Sequence, residues 1–210
     1  MNSIQPVDDL QTIRSIMERS SKFLSLSGLS GVLAGIFALA GVAVAWFFIL
    51  DLRSYGEFLA GNLPERTGLL MLLDAAVVLV LAFSGATLFS YRKSQKAGIS
   101  FWSLTTKRVL FHLLIPLATG GLVVVLLLIR QQYDLVIPAM LIFYGLALVN
   151  AGKFTFGEIH YLGLSDIALG LLAAWFTGWG LLFWAIGFGV MHIVYGTLMY
   201  LRHERYRTNS

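Results

Sequence analysis

The stretch IALGLLAAWFTGWGLLFWAIGFGVMHIVYGTLMYL, residues 167–201, holds 35 residues and no Asp, Glu, Lys or Arg. One continuous helix of that length measures about 52 Å at about 1.5 Å per residue. That overshoots a bilayer core of about 30 Å. Thr177-Gly178-Trp179-Gly180 supplies turn-forming residues at the middle. The stretch therefore reads as a helical hairpin, with spans at about 159–177 and 180–201.

The same reading extends toward the N-terminus. Apolar runs at about 26–50, 67–90, 109–129 and 134–151 are each long enough to cross a bilayer, and polar breaks such as Arg130-Gln131-Gln132 separate them. The composition agrees: 58% hydrophobic and 12% charged, against about 25% charged in a soluble domain. Alternating ten-residue patterns, the mark of a membrane barrel, are absent. The expected fold is all-α: a polytopic six-helix transmembrane bundle over residues 26–201. A cytoplasmic amphipathic segment precedes it at 1–25, and a basic tail follows at 202–210. In the leading segment Leu10, Ile13, Met17 and Leu24 share one helical face, with Asp8 and Gln11 in a capping pattern. Its polar lead, with Asp8 and Asp9, is unlike a cleaved signal.

Counting cations by side orients the bundle. Arg14, Arg19, Lys22, Arg92, Lys93, Lys96, Lys107, Arg108, Lys153, Arg202, Arg205 and Arg207 fall on one side; Arg53, Arg66 and Arg130 fall on the other. Basic residues concentrate on the cytoplasmic face, so both termini are expected there, in a multi-pass protein of the cell membrane. Trp46, Trp102, Trp175, Trp179 and Tyr200 sit at span ends, as interfacial aromatics do. The net charge of +4 is then an orientation signal, which removes the case for nucleic acid. The 92–108 loop, basic and free of acids, is expected to meet anionic lipid headgroups. Cysteine is absent, which excludes disulfides and thiolate chemistry. There is no Walker pattern and no His-Glu-x-x-His.

An ionisable group inside a span costs a few kcal/mol and calls for a reason. The candidates are Asp74, His112, Asp166 and His192, with Asn150, Glu158 and His160 near an interface. Counted from flanking charges, His112 lies about 6 Å deep, Asp166 about 12 Å and His192 about 15 Å, all in the cytoplasmic half. Asp74 falls in the outer half, where Arg130 is its expected partner. Small residues share a face with each of the three: Gly189 and Gly196 with His192, Gly163 and Gly170 with Asp166, Gly120 with His112. Small residues let helices approach closely in lipid, so these groups are expected to face protein.

Three chemistries compete for them. His112, His192 and Asp166, completed by His160 or Glu158, have the donor types for a divalent metal such as zinc. The same groups suit proton relay. The plainest reading gives each one interhelical hydrogen bond. A bis-histidine haem does not fit, because His112 and His192 differ in depth by about 9 Å. Gly31 and Gly35 form a Gly-x-x-x-Gly pair, which packs either inside the bundle or against a second copy as a homodimer.

The expected function follows from what is missing as much as from what is present. A non-enzymatic scaffold, sensor or accessory protein accounts best for the sparse polar content. A small ion, proton or solute transporter using Asp74, His112, Asp166 and His192 is the alternative, and an intramembrane metal-dependent enzyme ranks third. A water-filled path from Asp74 to His192 would mark transport. A closed bundle with an exposed groove would mark an interaction protein. The two three-span halves have opposite topology, as in inverted-repeat transporters, but no residue match relates them.

Overall fold

Backbone groups in hydrocarbon have no water to bond, so a spanning chain must satisfy them internally. The computed structural model describes residues 26–50, 57, 65–98 and 100–205, and every regular element among them is helical. Helix α1 (Gly28–Val44) ends in a π-helical turn, Ala45–Ile49. Next come α2 (Glu65–Lys96), α3 (Leu104–Ile129), α4 (Val136–Gly152) and α5 (Gly157–Trp175). The turn at Thr177–Trp179 is 3-10, and α6 (Gly180–Trp184) passes through a π-helical segment, Ala185–Met191, into α7 (His192–His203). The expected amphipathic segment at 1–25 and the tail beyond residue 205 lie outside the described residues.

Among the described residues, five helical stretches are long and apolar enough to cross a membrane: Gly28–Ile49, Arg66–Lys96, Leu104–Ile129, Tyr133–Gly152 and Thr177–His203. Helix α5 is not among them, because Glu158, His160 and Asp166 dilute its apolar content. Its polar residues are instead covered by protein. Glu158, Leu162, Gly163, Asp166, Gly170 and Ala173 are buried and recur at helical spacing.

Adjacency runs α2–α1–α6/α7–α5–α4–α3, with α5 packed most extensively on α4. Helices α2 and α3 are consecutive in sequence, yet they end this row and do not pack along each other. Close approach depends on glycine. A methyl group on Gly31 would lie 3.2 Å from the Gly196 Cα, and one on Gly163 would lie 2.6 Å from the Gly145 oxygen. The Gly31–Gly35 face of α1 is thus covered by α7 and the π segment of the same chain.

One end of the bundle is tied by ions. Glu204, just past α7, accepts from the Gly28 backbone N–H (2.6 Å) and the Ser27 hydroxyl (3.2 Å). It thereby caps α1 from the far end of the chain, placing negative charge at a helix N-terminus. Lys93 of α2 donates to Glu204 (3.2 Å) and to the Leu26 carbonyl (2.6 Å), and lies over the Phe156 ring. Beside them Glu158 accepts from Arg202 (3.1 Å) and faces His203 (3.3 Å). The start of α1, the end of α2, the α4–α5 turn and the end of α7 therefore share one end.

Candidate functional site

Asp166 stands on the buried face of α5, at the same level as the π segment. Its side chain is 0% exposed, and neither carboxyl oxygen has a hydrogen-bond partner among the described residues. Gly187 passes directly over it. A methyl group there would lie 3.0 Å from Oδ1 and 2.5 Å from the Leu141 side chain, so the approach requires glycine. Two apolar neighbours, Leu141 and Leu169, adjoin the same point.

Gly187 also joins Asp166 to His192. The His192 Nδ1 lies 2.9 Å from the Gly187 carbonyl oxygen, and Nε2 lies 2.8 Å from the Tyr144 hydroxyl. A carbonyl only accepts, so Nδ1 carries hydrogen and donates. In the neutral ring Nε2 then accepts from the Tyr144 O–H. Phe188 covers this pair, with ring centroids 5.0 Å from Tyr144 and 6.1 Å from His192. π-Helical segments recur at functional sites, because the wider turn departs from regular backbone bonding.

The chemistry available here is proton chemistry. An isolated carboxylate among apolar side chains is costly, whereas the neutral acid is tolerated. The Tyr144–His192 pair is a donor–acceptor chain whose sense can reverse. If the ring takes a second proton, Nε2 becomes a donor and the Tyr144 oxygen accepts, which frees the phenol hydrogen for another acceptor.

The other expected site residues are elsewhere. His112 is half-buried on α3 and stacks on Phe154 in the α4–α5 turn, centroids 4.8 Å apart. His160 packs against Gly152 of α4 and meets Tyr161 edge-on. Among the described residues no three His, Asp or Glu side chains are gathered as a metal set. Asn150 accepts from Lys153 at 3.5 Å at the end of α4. Asp74 is half-buried against Gly41 of α1. The expected Asp74–Arg130 pair is not formed: Asp74 faces α1, while Arg130 is exposed at the end of α3, which α2 does not pack along. Thr119, next to Gly120 on α3, is exposed and bonds back to the Ile115 carbonyl at 2.9 Å.

Two participants were not singled out from the sequence. Tyr144 is a phenol in the middle of an apolar run, and its depth was the available signal. Glu204 was hidden among tail charges, and nothing local marks it as a cap for a helix that begins 176 residues earlier. Compared with protein families, curated proteins and solved structures, the chain finds no match.

Proposed function

We propose that the chain is a six-span protein of the cell membrane, with both termini cytoplasmic, that works as a proton-responsive sensor or accessory protein. Asp166 is the group that takes up and releases the proton. The observation that carries this reading is the Asp166 carboxyl, fully buried and without a hydrogen-bond partner among the described residues, beside the Tyr144–His192 chain. Two facts support the topology. Helix α5 is about 28 Å long at about 1.5 Å per residue, and protein covers its polar face. The ion-tied end of the bundle carries the basic side of the positive-inside count.

The switch works by charge. With a proton, Asp166 is a neutral acid that tolerates Leu141 and Gly187 against it. Without one, it is an uncompensated charge whose burial costs several kcal/mol. That cost favours separation of α5 from the π segment, which is the compliant part of the last span. His192 and Tyr144 supply the proton path, and their hydrogen bonds must rearrange as it is used.

Infrared difference spectroscopy in lipid nanodiscs tests the assignment. The expected result is a carbonyl band of a protonated carboxylic acid at neutral pH that Asp166→Asn removes. Its absence from the wild-type protein overturns the reading. Labels on α5 and α7 should also report a pH-dependent distance change that Asp166→Asn abolishes. The second reading, a small proton or ion transporter, replaces the sensor if liposomes show Asp166-dependent proton flux. The metal-enzyme reading draws no support from His112 and His160, which pack on other surfaces.

A further inference from the structure

The unpaired edge between α2 and α3 is the second unexplained feature. The two helices are joined through residues 97–103 yet do not pack along their lengths. At the joined end Phe101 meets Tyr91 of α2 edge-on, centroids 5.9 Å apart, and its carbonyl accepts from Thr106 of α3 at 2.6 Å. Beyond that floor the α2 surface is hollowed into a shallow groove of about 360 Å³, lined by Phe83, Ser84, Thr87, Leu88 and Tyr91. All five are exposed, and they lie on the side of α2 turned away from Gly41 and α1.

The chemistry along this edge is ordered by depth. Arg92 and Lys96 of α2 and Lys107 and Arg108 of α3 are exposed at the joined end, and residues 92–108 contain no acid. Thr87 lies five residues before Arg92, about 8 Å deeper along the helix. Phe83 lies about 14 Å deeper than Arg92. Cations, then a hydroxyl, then apolar rings match the phosphate, ester and acyl layers of a phospholipid. Trp102, 64% exposed beside the cations, marks the same interfacial level.

We infer that the α2–α3 edge is a binding site for one anionic phospholipid. The phosphate is held by Lys107 and Arg108 of α3, at the joined end. The Thr87 and Ser84 hydroxyls face the ester region, and an acyl chain lies along Phe83 and Leu88. This goes beyond the proton reading and does not depend on Asp166.

Native mass spectrometry of the full chain, released from nanodiscs of mixed phosphatidylglycerol and phosphatidylcholine, tests it. One phosphatidylglycerol per chain is expected to survive release. Lys107→Gln/Arg108→Gln should lower the preference for it about thirtyfold, since each basic residue near the surface contributes about a factor of five. Lys153→Gln, a cation outside the edge, should leave it unchanged. Thr87→Trp fills the groove while keeping every charge, and should also lose the lipid. Ser84→Phe repeats that test, with thermal unfolding of each variant checking that it folds. If folded groove-filling variants keep wild-type retention, cations attract lipid without a seat and the proposal fails. It fails equally if a dimer mass appears that Thr87→Trp dissociates, because a second copy then occupies the edge.

Discussion

At Gly187 only a hydrogen atom stands between the last span and the Asp166 carboxyl. Gly187→Ala brings a methyl within 3.0 Å of Oδ1 and 2.5 Å of Leu141. It should destabilise by about 1–3 kcal/mol, the usual cost of overpacking. Leu141→Ala in the same chain should recover part of that loss; an additive double mutant in thermal unfolding would contradict the contact. Tyr144→Phe leaves the buried Nε2 of His192 without a donor, at a cost of about 1–3 kcal/mol. Tyr144→Phe/His192→Phe removes both partners and should cost less than the sum of the singles, read as a double-mutant cycle. Asp166 and His192 were legible in the sequence because an ionisable residue in an apolar run has few innocent explanations. Tyr144 was not, because a phenol serves equally as an apolar ring or as a hydrogen-bond donor. Only its neighbour across the helix interface decides which.

Helices here are selected by length and apolarity, but their internal geometry answers to packing. The break at Thr177–Trp179 was readable because one helix of 35 residues does not fit the bilayer. The π segment Ala185–Met191 was not, since Gly187 and Gly189 read only as small residues at helical spacing. At the ion-tied end, burial alone would raise the Glu158 carboxyl. Its own backbone N–H, Arg202 and His203 together outweigh burial and hold it below its usual value of 4.5. A carboxyl lowered on folding contributes stability above its unfolded value and loses it as pH falls through its folded value. Wild-type protein should therefore lose thermal stability as pH falls below that usual carboxylate value, and Glu158→Gln should show a shallower loss. A wild-type curve as flat as the variant's would refute the pairing. Glu204→Ala removes the cap on α1 and should cost about 0.5–2 kcal/mol, with exchange of the α1 N-terminal amides rising first.

The whole molecule is a row of helices with two loosely packed ends, and its topology invites a direct test. The chain has no cysteine, so single cysteines can be introduced without background. Gly98→Cys and Lys153→Cys should react with a membrane-impermeant thiol reagent only from the cytoplasmic side, and Gln131→Cys only from the opposite side. Labelling of all three from one side would overturn the proposed crossings of α3 and α4. Sequence alone determined the all-helical, membrane-embedded class, because crossing hydrocarbon demands long apolar helices and composition records that demand directly. It also marked which ionisable groups lie inside apolar runs. Tertiary structure decided which of them meet. Asp166 and His192 share Gly187 while His112 stacks on Phe154, and Asp74 faces α1 rather than Arg130. Helix adjacency decided this, and adjacency is set by where glycines let backbones touch. That interaction joins residues distant in the chain, and no local pattern encodes which two stripes will pair.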